Sequence, residues 1–145
     1  MKYLICGFLF LSACARPDYI DPKIASQNQQ PTTSCTLELA NSELCASVEW
    51  TTGPQSPQES EFILKFWKNT DTPQGPYLDP SSTLSVILWM PSMGHGSSPV
   101  TIEKIQDGVY RVRRVFFIMP GDWEVRVFLK NGTTTVGQAT VSLLL

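Results

Sequence analysis

The chain is poor in histidine: His95 is the only one in 145 residues. A catalytic histidine pair or a three-histidine zinc centre is therefore excluded within one chain. It also lacks an excess of positive charge. Eleven Lys and Arg stand against 13 Asp and Glu, a formal net of −2, which leaves no basic surplus to neutralise a phosphate backbone and argues against nucleic acid as a partner. No G-x-S-x-G, phosphate loop or zinc motif is present. A Ser or Cys nucleophile normally needs a base, and His95 is the only usual one, so no enzyme is expected. After Cys35 no stretch sets apolar residues at i, i+3, i+4 and i+7, which excludes amphipathic helices from that part. What the chain does have is 42% hydrophobic and 10% aromatic residues, enough to bury one core in one domain.

The N-terminus reads as an address. Lys2 gives a short positive region, and residues 3–11 are apolar but too few to span a bilayer as a permanent helix. Leu11-Ser12-Ala13-Cys14 resembles the lipobox of bacterial lipoproteins, with Leu, two small residues and then Cys. Residues 1–13 are read as a lipoprotein signal peptide, and Cys14 as the thiol that takes lipid and becomes the new N-terminus. The mature chain loses Lys2 and carries a net of −3. Acyl chains at Cys14 would hold it to a membrane, each buried methylene contributing about 0.8 kcal/mol. Many lipoproteins retained at the inner membrane have Asp after the cysteine. Ala15 therefore favours the outer membrane, facing the periplasm, in a double-membraned cell envelope. Residues 14–33 hold Pro17, Pro22 and Pro31 without apolar periodicity, as a flexible tether would.

Cys35 and Cys45 remain, in a compartment that permits disulfides. The expectation is a bridge between them; the alternative is a pair of thiolate metal ligands. A tight hairpin at Asn41-Ser42 would place Cys45 opposite Glu38. The bridge then requires a wider turn, or pairing across two sheets.

From residue 34 to 145 short alternating runs are separated by turn residues, the mark of β-strands. Strands are expected at 35–40, 44–51, 62–67, 83–90, 100–105, 109–119, from 123 to about 130, and 133–144. Phe62, Leu64 and Phe66 share one face, as do Leu84, Val86, Leu88 and Met90, and again Trp123, Val125, Val127 and Leu129. In the sixth strand Tyr110 and Val112 have one parity, while Val115, Phe117 and Met119 have the other. A β-bulge at Arg113-Arg114 would return all five to one face. Met119-Pro120-Gly121-Asp122 fits a type II turn, and Asn131-Gly132 a type I′ hairpin. The fold predicted is all-β, an immunoglobulin-like antiparallel sandwich of seven or eight strands.

Soft ligands gather in one segment, Trp89-Met90-Pro91-Ser92-Met93-Gly94-His95-Gly96. Thioethers and imidazole suit copper, and thioethers suit Cu(I) in particular. Strand direction brings Met119 to the same end: if the fourth strand runs up, the fifth runs down and the sixth up. Met93 and His95, completed by Met119 or Met90, are the candidate copper ligands, with Trp89 and Trp123 placed to shield them. Each residue also has a purely structural reading. Met90 and Met119 share parity with core residues, Met93 can plug the loop, and His95 can bind a backbone carbonyl. Asp79, Glu103, Asp107, Asp122 and Glu124 read as solvated charge beside turns and on outward faces.

Residues 88–129 resemble the FixH and YtkA-like family of bacterial envelope proteins. The resemblance lies in the Met/His loop at 89–96, in the G-x-Y of Gly108-Val109-Tyr110, and in a closing G-x-W begun by Gly121-Asp122-Trp123. It implies an immunoglobulin-like sandwich at the envelope. Some relatives are associated with copper delivery or with cation pumping linked to oxidase assembly. FixH proper carries a transmembrane helix where this chain has a lipobox. Two functions follow as expectations: a non-enzymatic domain that delivers or sequesters copper, or an envelope adaptor whose loop supports a protein partner.

Overall fold

A computed structural model describes residues 35–145. The signal peptide, Cys14 and the tether expected from the sequence lie outside the described residues. Nine strands form, with no helix among the described residues: β1 (Leu37–Glu38), β2 (Leu44–Thr52), β3 (Ser60–Lys68), β4 (Thr83–Met90), β5 (His95–Gly96), β6 (Thr101–Gln106), β7 (Val109–Val115), β8 (Asp122–Asn131) and β9 (Thr134–Leu144). They make one sheet in the order β1-β2-β3-β7-β6 and another in the order β5-β4-β8-β9. Every pairing is antiparallel, as the alternation predicts. The additional strand is β5, two residues inside what the sequence presents as a loop.

The inner faces are those set by parity. Phe62, Leu64 and Phe66 from β3 meet Val86, Leu88 and Met90 from β4 and Trp123, Val125, Val127 and Leu129 from β8 in one core. Aromatic edges tie its upper part: Phe117 lies 5.4 Å from Trp123 and 6.1 Å from Trp50, which meets Phe62 edge-on at 5.0 Å. Full burial of side chains this size contributes about 1.5–3 kcal/mol each.

The bulge is where the parity slip requires it. Ser60 pairs with Val115 and Phe62 with Val112, so β7 carries one residue more than β3 between those pairs. Arg114 takes up the excess at φ 57°, and its NH donates to Glu59 Oε1 at 2.8 Å. Val112, Val115 and Phe117 are all fully buried. The ladder stops at Val115, four residues short of the strand expected to 119, because the chain there leaves one sheet to enter the other.

Two turns differ from expectation. At the β8–β9 hairpin Asn131 pairs with Thr134, and of the turn residues only Gly132 has positive φ, 60°. Glycine alone in the first central position is the type II′ pattern, one residue later than a type I′ turn centred on Asn131-Gly132. At 119–122 the Met119 carbonyl accepts from the Trp123 indole NH at 2.8 Å, and Gly121 has φ 135°, far from the type II value.

Cys35 and Cys45 form a disulfide, with Cα atoms 5.2 Å apart. Cys45 does stand opposite Glu38, as a hairpin at 41–42 dictates. The bridge forms in that register because β1 is only two residues long. Cys35 lies outside the ladder, and strand spacing does not bind it. Ala46 faces the core, whereas Cys45 and its β3 partner Trp67 are buried on the other face of the sheet. The bridge closes a loop of sequence separation 10, so reduction should lower unfolding free energy by about 2–3 kcal/mol. Urea unfolding with and without reductant measures this; coincident curves would show that the bridge constrains nothing.

Candidate functional site

The Met/His segment is a tight connection between β4 and β5. The Met90 carbonyl accepts from Met93 NH at 3.2 Å and from Gly94 NH at 3.0 Å. Gly94 has φ 66°, a left-handed conformation that glycine adopts without cost. The turn brings His95 into register with Met90. Ser97 NH then bonds the Leu88 carbonyl at 3.1 Å, and Ser97 Oγ bonds the Phe116 carbonyl at 2.5 Å. The segment is thereby fastened to β4 and to the stretch after β7.

The four candidate ligands differ in availability. Met93 sits on the turn with 57% of its surface exposed. His95 is half-buried, and its Nδ1 lies 3.1 Å from the Gly96 carbonyl. A proton on Nδ1 completes that bond and leaves Nε2 with the lone pair. Met90 is buried in the core and packs on Gly121, where an added Cβ would come within 2.7 Å of its Cε. Met119 is partly buried against the core. As strand direction requires, the turns bearing Met93 and Met119 lie at one end of the sandwich, where Trp89 pairs with Glu124. Trp123 is buried beneath them. Trp89 does not shield this end. It is on the outer face of its sheet, with the Arg126 guanidinium 4.8 Å above its ring. Among the described residues no three or more His, Cys, Asp and Glu side chains are gathered where they could hold a metal ion. A soft-metal site here must draw on thioethers.

At the opposite end, Asp79 organises the turn after β6. Its Oδ1 accepts from Gly108 NH at 2.9 Å and from Tyr110 OH at 2.8 Å. Its Oδ2 pairs with Lys104, which also reaches Asp107 at 2.8 Å. Gly108 has φ 66°, and a Cβ there would stand 2.3 Å from the Leu78 nitrogen, so only glycine fits beneath the 69–82 loop. The G-x-Y motif is thus a clamp: the glycine NH and the tyrosine hydroxyl grip one carboxylate oxygen.

A family model described as YtkA-like matches residues 48–128, more than half of the chain. The chain belongs to the YtkA-like family. No curated protein and no solved structure matches it. In this YtkA-like domain the Met/His loop and the G-x-W lie at one end, and the G-x-Y with Asp79 fixes the other. Trp123 of the G-x-W is bound through its indole NH to Met119, so this motif fixes the second methionine-bearing loop.

Asp79 is not the solvated charge that sequence reading made it. Glu103 pairs with Arg113, Glu124 with Arg126 at 2.6 Å, and Asp107 with Lys104, all at the surface; Asp107 and Asp122 are exposed, as expected of solvated charge. The signal missed was the need of G-x-Y for an acceptor common to its NH and its hydroxyl. The bond from Lys104, then those from Gly108 and Tyr110, hold the Asp79 carboxyl at about 2, below the ordinary 3.8. Burial, and then the bond to Asp79, push the Tyr110 phenol up to about 12. Lys104 is held above the ordinary lysine value, first by Asp107 and then by Asp79. A depressed carboxylate contributes stability that is complete above its unfolded pKa and is lost as pH falls through the folded one. Asp79→Asn should therefore be less stable than wild type at neutral pH, with the gap closing between about pH 4 and about pH 2. Urea unfolding across that range reads the gap. Parallel stability curves for the two proteins would refute the assignment.

Proposed function

We propose that this protein is a non-enzymatic cell-envelope domain, lipid-anchored through Cys14, that binds copper at its Met/His loop for delivery or sequestration. The observation carrying the copper reading is His95. Its Nδ1 is engaged by a carbonyl, which orients the ring and leaves Nε2 as the ligand atom, and the exposed thioether of Met93 lies two residues away on the same turn. An imidazole beside thioethers suits Cu(I); zinc finds one good ligand and no more. Met119, half-buried on the adjoining loop, is better placed to complete the set than Met90, whose side chain is committed to the core against Gly121. The lipobox supports the anchor, and Ala15 supports the periplasmic face of the outer membrane. Cys14→Ser should release the protein from the membrane fraction; full retention would contradict anchoring there.

A second reading is favoured by one observation. Met93 is 57% exposed and Ile118 is 48% exposed, on two loops at one end. Apolar side chains presented there also suit an envelope adaptor that docks a protein partner. Competition for Cu(I) against a chromophoric chelator separates the two. Copper binding predicts that Met93→Ala and His95→Ala each weaken Cu(I) affinity at least tenfold without change in the β circular dichroism. The adaptor reading is favoured if wild type and His95→Ala bind equally weakly. Unfolding by either substitution would make the two residues structural.

A further inference from the structure

Among the described residues the sandwich has four edge strands, β1 and β6 in one sheet and β5 and β9 in the other. Three are protected against pairing with another chain. β1 and β5 are two residues long, and β6 carries Glu103 and Lys104, lengths and charges that discourage strand addition. β9 has neither defence. It is 11 residues long, TTVGQATVSLL, with no charge and no proline.

The hydrogen bonds of β9 show which groups are free. Gly121 and Leu145 exchange both backbone bonds, at 2.7 and 3.1 Å. In an antiparallel ladder bonded and non-bonded pairs alternate. Leu143, Val141 and Ala139 therefore bond inward to β8, and Leu144, Ser142, Thr140 and Gln138 turn their NH and C=O outward. The Gln138 carbonyl confirms the phase, since it accepts from Ala40 NH at 2.9 Å across the edge. Above it, Thr140, Ser142 and Leu144 have no backbone partner among the described residues. Leu144 ends this stretch with 79% of its surface exposed.

We infer that β9 pairs antiparallel with β9 of a second copy of this chain, about a twofold axis at Ser142. Ala40 limits the register, because pairing centred on Thr140 or Val141 would require Gln138, which Ala40 already occupies. Of the registers that avoid Gln138, centring on Ser142 pairs Thr140 with Leu144 of the other copy and engages all three free residues, whereas centring on Leu143 engages only two. A twofold contact sets like beside like, so a charged strand would repel itself. An uncharged strand with serine at its centre suits that symmetry. The two four-stranded sheets become one of eight, each outward NH and C=O from 140 to 144 gains a partner, and Leu144 is covered.

Sedimentation of the full chain in neutral detergent tests this, together with amide hydrogen exchange. The wild type should be a dimer, with the amides of Thr140, Ser142 and Leu144 protected and losing protection on dilution. Ser142→Lys sets two ammonium groups opposite each other and should yield monomer with unchanged circular dichroism. Thr134→Lys, the same charge on the same strand but outside the pairing, should stay dimeric. A monomeric wild type would overturn the inference and leave the edge to a strand from a different protein. So would a dimer indifferent to Ser142→Lys, or fast exchange at all three amides in the dimer.

Discussion

One extra residue in β7 governs the rest of the sandwich. Tyr110 and Val112 have the wrong parity to share a face with Val115, Phe117 and Met119, and a regular strand would expose one set to water. Arg114 absorbs the mismatch at φ 57°, with its NH held by Glu59. Phe117 then reaches Trp50 and Trp123 in the core, and the chain is turned out of the first sheet toward the second. Without that displacement the loop carrying Met119 would not arrive beside the turn carrying Met93 and His95. A bulge that re-aims side chains beside a functional region is a recurrent use of this device.

The two ends of the domain are built differently because their motifs do different work. At one end Asp79 draws a backbone NH, a phenol and an ammonium to a single carboxylate. Both carboxylate oxygens are engaged, and the network serves to hold a long loop over a glycine. At the other end the polar contacts are few and each fixes a loop: Ser97 to Phe116, the Trp123 indole to Met119, and the His95 ring to its own neighbour. What is left unmatched there is a thioether and an imidazole nitrogen. Groups left over by the fold on a braced loop are the ones free to serve a ligand.

Much of this was legible in the sequence because burial imposes a period of two. The inner faces of β3, β4 and β8, the bulge at 113–114 and the sharing of one end by the methionine turns all follow from parity and strand direction. What parity does not encode was misread. β5 is two residues long and shows no alternation. Asp79 acts through partners 25 to 31 residues away, and spacing alone does not reveal such a partner. Trp89 looked like a shield for the site because it adjoins Met90 in sequence, yet neighbours on a strand face opposite ways. The bridge at Cys35 appeared to need a wider turn only because β1 was expected to extend through it.

The proposed function requires a soft-metal site that rests on His95 with thioethers around it. X-ray absorption at the copper edge of the Cu(I)-loaded full chain tests it most directly, since it counts the ligand atoms themselves. One imidazole nitrogen together with sulfur is expected, the sulfur contribution diminishing in Met93→Ala. A copper shell of nitrogen and oxygen alone, unchanged by that substitution, would contradict it.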